Sequence, residues 1–211
     1  MKLLPEDIYI TASCIISHHV VYKNEHAIFE NKEPDVTAFL VAAYHHFQLQ
    51  YPKFYKMDNL SKLGWLATEL LLKDSFHAGK YQPEAIGVVL ANASSSLDTD
   101  IKYYETAKDI ASPALFVYTL PNIVIGEICI RHHFNGENAF FVFDEFDAGF
   151  MEQYVSNLIN NNILQSCICG WVELLDDQYK TVLFLVEKGG SAPNILFTKK
   201  NINKIYQSEN G

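Results

Sequence analysis

Continuous apolar runs and helical stripes alternate along this chain. Residues 8–17, IYITASCIIS, read as a buried strand. Residues 35–49 put Val36, Phe39, Leu40, Ala43, Tyr44 and Phe47 on one stripe at helical spacing, with Pro34 suiting the helix start. His45 and His46 fall on this helix, but neighbours on a helix point about 100° apart, so they are no ligand pair. A second helix is predicted over 58–73, capped by Asp58. IGVVLA (86–91) is apolar throughout, as befits a strand covered on both faces. The small-residue loop 92–100 leads into a helix at about 99–109, and 114–118 reads as a strand or an extended connector. Pro121 and Asn122 open a helix that runs to about His133. Further strands are predicted at 138–143, 166–175 and 181–188, with a helix over 149–161.

Strands alternating with helices predict an α/β layer fold, a central sheet with helices on both faces. The chain has 211 residues, 49% hydrophobic and 19% charged, which suits one domain with a sizeable core. The net charge of −9 repels phosphate backbones and disfavours nucleic-acid binding. Lys199, Lys200 and Lys204 are the densest basic group and read as a solvated tail. No apolar run reaches 18 residues, so no membrane span is expected, and the amino terminus does not resemble a signal peptide. Cys14, Cys129, Cys167 and Cys169 sit in apolar runs, which fits buried reduced thiols in the cytoplasm better than disulfides. Cys167 and Cys169 read as small core residues on a strand; no metal or cofactor is expected.

Several segments in order carry a resemblance: YITASCIISHH, YKMDNLSKLGWLATELLLKD, IGVVLANASSSLDTD and, most specific, LPNIVIGEICIRHHFNGEN. The last resembles the Pro-Asn-x-x-x-Gly-x-Ile-x-Ile-Arg-x-x-x-x-Gly-x-Asn pattern of β-ketoacyl synthases, built here from Asn122, Gly126, Arg131, Gly136 and Asn138. The resemblance covers about residues 7–188 and implies half of a thiolase-like fold, a mixed sheet of about five strands between helices. The expected organisation is a synthase-like domain over 1–190 and a short tail over 191–211. Gly126 would let a helix approach a neighbouring backbone, and Gly136 would supply a turn. Arg131 reads as a structural ion-pair or hydrogen-bonding residue.

In that family a cysteine sits where the strand after Gly-x-Asn turns into a helix, favoured as thiolate by the helix amino terminus. In the stretch AFFVFDEFDAG, ending at Gly149, family spacing puts Glu145 at that position. A one-residue slip brings Asp144 or Phe146, and none of the three is a thiol. All eight histidines lie at or before His133, whereas active family members use a histidine pair, or His and Asn, from the second half. Condensation by this chain alone is therefore not expected. Asp144, Glu145 and Asp147 read as helix caps, as interface hydrogen-bonding groups or as catalytic acids. A half fold also bares the apolar face of a central helix, at a cost on the order of 10 kcal/mol at roughly 25 cal/mol per Å². Something should cover part of it.

The resemblance implies pairing of amino-terminal halves through the strand before the cysteine, here NAFFVF, unprotected by Lys or Pro. It points to the chain-length factors, which lack the cysteine, pair with a full-length β-ketoacyl synthase and shape its acyl tunnel. The short factors of aryl-polyene-type clusters are the best fit. Expected tunnel or interface residues are Tyr118, Leu120, Ile123, Phe141 and Phe143. Acyl carrier proteins are acidic, so they are expected to dock on the partner and not on this acidic chain. Two alternatives stay open: malonyl-carrier decarboxylation assisted by Glu145, and a homodimeric acyl-binding scaffold.

Overall fold

The computed structural model describes residues 7–32, 35–189 and 195–208. Its strands are β1 (Ile8–Ser17), β2 (Val20–Lys23), β3 (His26–Glu30), β4 (Ile86–Asn92), β5 (Asn138–Val142), β6 (Ser166–Leu175), β7 (Gln178–Lys188) and β8 (Ile195–Leu196). Its helices are α1 (Val36–His46), α2 (Asn59–Leu72), α3 (Leu97–Ala107), α4 (Pro113–Phe116), α5 (Ile123–His132), α6 (Ala148–Asn160) and α7 (Lys199–Gln207). The strands form a mixed sheet in the order β3-β2-β1-β7-β6-β4-β5, with β8 also on β1. β4 runs parallel to both β5 and β6, while β7 is antiparallel to β1 and β6.

The expected α/β layers are present, but the sheet has eight strands and not about five. Two tight hairpins account for β2 and β3. Their turns hold His18–His19 and Asn24–Glu25 at positive φ, the backbone that two-residue hairpin loops require. No glycine marks either turn, which hid them in the sequence. The segment 114–118 is neither strand nor extended connector. Ser112 accepts a hydrogen bond from the Leu115 amide at 3.3 Å and Pro113 takes the first turn, so the chain coils into α4. Asp58 caps α2 through the Ser61 amide at 2.9 Å, and Asp35 caps α1. Pro34 lies outside the described residues.

One face of the sheet packs under α1, α2 and α5 around Phe39, Phe54, Trp65 and Leu66. The other packs under α6 and α7 around Met151, Val155, Phe184 and Ile202. A register shift in β1 between Ile10 and Ala12 moves Ile8 and Ile10 onto the α6 face and leaves Ala12, Cys14 and Ile16 on the α2 face. All seven residues of β4 are buried, consistent with cover on both sides.

Two expectations about cover are corrected. The apolar face of α6 is not bare: α7 lies against it and buries Ile202 and Ile205, with Phe197 beside them. Residues 195–208 are accordingly no solvated tail, for β8 pairs with β1, and the Glu152 carboxylate accepts from the Lys199 amide at 2.7 Å. Nor does Gly126 admit a neighbouring backbone, since a Cβ there would meet nothing within 4 Å. The close approach of α2 and α5 falls at Gly64 instead, where a Cβ would stand 2.9 Å from Val124 Cγ2. Gly136 is needed for space, since its Cβ would sit 2.4 Å from the Ile86 carbonyl oxygen.

Candidate functional site

The carboxyl end of β5 and the turn into α6 form the first part of the candidate site. β5 pairs residue for residue with β4, from Val88 opposite Asn138 to Asn92 opposite Val142, and lies at the end of the sheet order. Among the described residues its far ladder is therefore open. At its carboxyl end the Phe143 amide donates to the Asn92 carbonyl at 3.0 Å, closing the turn against β4.

In the turn the three acids have different tasks. Asp147 is the cap of α6, its Oδ1 accepting from the Gly149 amide at 2.8 Å and the Phe150 amide at 2.9 Å. Asp144 and Glu145 are exposed and precede the cap. They open onto a cleft of about 770 Å³ whose other wall is α7, with Lys199, Asn203 and Tyr206. Phe146 closes the floor, stacked on Tyr206 at 4.5 Å and edge-on to Trp171 at 5.9 Å. Glu145, the residue that motif spacing puts at the expected nucleophile position, is thus a solvent-facing carboxylate. A carboxylate lacks the nucleophilicity of a thiolate.

The five expected tunnel residues fall into three environments. Phe141 and Phe143 stack at 5.8 Å and meet Phe150 edge-on at 4.8 and 4.9 Å, tying β5 to α6. Ile123 is partly buried against the α2 face of the core. Tyr118 is buried, and its hydroxyl donates to Glu127 Oε1 at 3.1 Å. Burial and the Glu127 charge push that phenol well above its ordinary range, so it remains a donor. Only Leu120 projects freely, at 57% exposure. Other large apolar side chains also stand exposed: Leu97, Ile101 and Tyr104 on α3, Phe116 at the end of α4 and Val117 just after it. The i, i+4, i+7 spacing of the first three was a legible stripe.

The motif residues act as scaffold. Asn122 begins α5, its carbonyl accepting from the Gly126 amide at 3.1 Å. Arg131 Nε pairs with Glu69 Oε1 at 3.0 Å, and its guanidinium lies 5.0 Å over the Tyr51 ring. Burial alone would raise the Glu69 carboxyl, but hydrogen bonds from His132 and Arg131 outweigh it and hold it below its usual range. Cys14, Cys167 and Cys169 are buried, and burial pushes Cys14 up to about 12, far from a reactive thiolate. Among the described residues no three His, Cys, Asp or Glu side chains are grouped to hold a metal ion. No helix among them is long and apolar enough to cross a membrane.

No protein-family model matches the sequence, and no curated protein matches it. Solved structures do. The chain is similar to the ishigamide ketosynthase/chain length factor, with a TM-score of 0.66 and 17% identity over 90% of this chain and 64% of that one. It is similar to a type II polyketide synthase complex, AntDE with the acyl-carrier protein AntF, with a TM-score of 0.60 and 16% identity over 88% and 64% of the two chains. A third likeness is to the ketosynthase ApeO in complex with its chain length factor ApeC from Xenorhabdus doucetiae, with a TM-score of 0.56 and 13% identity over 88% and 80%. The chain spans 64% of the length of the first two. Identities this low carry a fold and nothing finer, and the fold they carry is the thiolase-type α/β architecture of ketosynthases and chain length factors.

Proposed function

We propose that this chain is a non-catalytic, chain-length-factor-like subunit. It pairs with a full-length β-ketoacyl-carrier-protein synthase and shapes that partner's acyl tunnel in fatty-acid or polyketide-type, aryl-polyene-like biosynthesis. One juxtaposition carries the reading: an open, apolar edge strand ends on a turn whose nucleophile position holds the exposed carboxylate of Glu145. The edge supplies a pairing surface, and the turn supplies no thiol. An open β edge without Lys or Pro invites another strand, and Val142 adds an exposed side chain there. Two of the solved structures named above, the ishigamide and the ApeO–ApeC ones, pair a ketosynthase with a chain length factor, which supports the reading. Acyl carrier protein would then dock on the partner, because this chain carries a net charge of −9. The free, largely buried cysteines suit a reducing compartment such as the cytoplasm.

The test is co-expression with a full-length synthase encoded beside it, followed by light scattering and assay of the purified complex. A one-to-one mixed dimer that makes products of defined length supports the proposal. A chain that stays monomeric beside that partner, or that forms only a dimer with itself, refutes it. Purified chain that releases carbon dioxide from malonyl-carrier protein, and stops on Glu145→Gln, would establish the decarboxylase alternative in its place.

A further inference from the structure

Tyr206 borders two cavities at once. It lines the cleft at the acidic turn and a second one, of about 670 Å³, that also holds His18, His19, Trp171, Glu173 and Lys180. Its ring stacks on Phe146, and α7, which carries it, covers the apolar face of α6. The contacts that hold the carboxyl end of α7 therefore also keep both cavities walled.

One of those contacts is polar. The last carbonyls of a helix have no partner within it. Lys180 Nζ on β7 donates to the Tyr206 carbonyl at 2.9 Å and lies 4.2 Å from the centroid of the Tyr206 ring. An ammonium at that end also suits the helix dipole. Yet the sheet offers the same lysine a second position. Glu173 on β6 stands opposite Lys180 in the antiparallel register. Side chains so placed have Cβ atoms about 4.5–5.5 Å apart, well within reach of a lysine stem.

Glu173 is only half satisfied. Its Oε2 accepts from the Ala93 amide at 2.5 Å and from the Ser94 amide at 3.2 Å. Its Oε1 is buried and has no hydrogen-bond partner among the described residues. A buried carboxylate oxygen without a donor is unfavourable, and a charged donor is the strongest remedy. The arrangement observed thus caps α7 and leaves Glu173 wanting the ammonium that faces it across the ladder.

We infer that Lys180 is a two-position switch for α7. On Tyr206 it holds the helix closed over α6. Turned to Glu173, it satisfies the buried oxygen and lets the carboxyl end of α7 lift, which joins the two cavities and uncovers the α6 face around Met151 and Val155. Phe197, Ile202 and Ile205 are all buried, so packing keeps the closed form the major one. The switch gives the open form a bond in exchange for the one it loses. It needs no partner chain and stands apart from the pairing proposed above.

The experiment measures amide exchange in the isolated chain over 202–207, with β4 as the internal reference for folding. Lys180→Met keeps the apolar stem and removes the cap, and should speed exchange about tenfold. Glu173→Gln keeps an acceptor for the Ala93 and Ser94 amides but loses the charge that draws Lys180 away. It should slow exchange about threefold, since the open form loses its bond. In the double variant Glu173 has no lysine to attract, so exchange should match that of Lys180→Met alone. Opposite signs for the two single variants are what a merely structural contact does not produce. Exchange that is unchanged or faster in folded Glu173→Gln would overturn the switch. The unaltered chain gives an independent test by relaxation dispersion, in which Lys180 and Tyr206 should share one exchange rate. Separate rates, or flat profiles at both, would also overturn it.

Discussion

β4 and β5 lie side by side, parallel and in register, yet they have opposite fates. Every residue of β4 is buried, whereas Asn138 and Val142 of β5 are exposed and its outer ladder is open. The difference is not composition, for both runs are rich in Val, Leu, Ala or Phe. It is cover: β4 has a strand on each side and helices on both faces, while β5 has a neighbour on one side only. The same contrast separates α2, nearly all buried, from α3, whose Leu97, Ile101 and Tyr104 face outward. An apolar sequence that the chain itself finishes is a core. One that it leaves open is a surface that another chain can cover.

The largest expected effect tests the finished side. Leu90 of β4 is fully buried, so Leu90→Ala should cost about 2–5 kcal/mol in denaturant unfolding. Val142→Ala, one strand away, should cost under about 1 kcal/mol by the same measurement. Equal losses at both positions would show that β5 belongs to the core. Next comes the open side. Val142→Lys should leave the isolated chain folded but weaken the mixed dimer by more than about tenfold, since edge lysines oppose strand pairing. Titration of partner into labelled chain measures this.

Within the acidic turn the comparison can be sharpened further. Asp147→Ala should cost about 1 kcal/mol through loss of the α6 cap. Glu145→Ala, at an exposed position ahead of the cap, should fall within about 0.5 kcal/mol. The smallest effect is a pH dependence. Glu69 has a folded-state carboxyl held below its ordinary 4.5 by His132 and Arg131. A depressed acid contributes stability that is complete above its unfolded value and is lost as pH falls through the folded one. Unfolding scans from pH 6 downward should therefore show stability decline below about 4.5, and Glu69→Gln should flatten that decline.

Most of the frame was legible because its signals are local. The apolar runs of β1, β4, β6 and β7, the stripe of α1 and the Asp58 cap depend on neighbours in sequence. What was hidden depends on pairing at a distance or on unusual backbone. β2 and β3 turn on His18–His19 and Asn24–Glu25, ordinary residues in left-handed conformation. The carboxyl-terminal lysines suggested a solvated tail, yet the interleaved Ile202 and Ile205 bring that helix onto α6. At the candidate site, motif spacing singled out Glu145. Its exposure, and the assignment of the cap to Asp147, needed coordinates. Tyr118 and Leu120 looked alike in sequence; burial and the hydrogen bond from Tyr118 to Glu127 tell them apart.

The proposed pairing stands or falls on the open edge of β5. Amide exchange of residues 138–142, measured on the chain alone and after mixing with its synthase, addresses it directly. Pairing through this edge requires rapid exchange at alternate outward-facing amides in the free chain and at least about tenfold protection in a one-to-one complex. A complex in which those amides stay unprotected, or a free chain in which they are already protected, would contradict it.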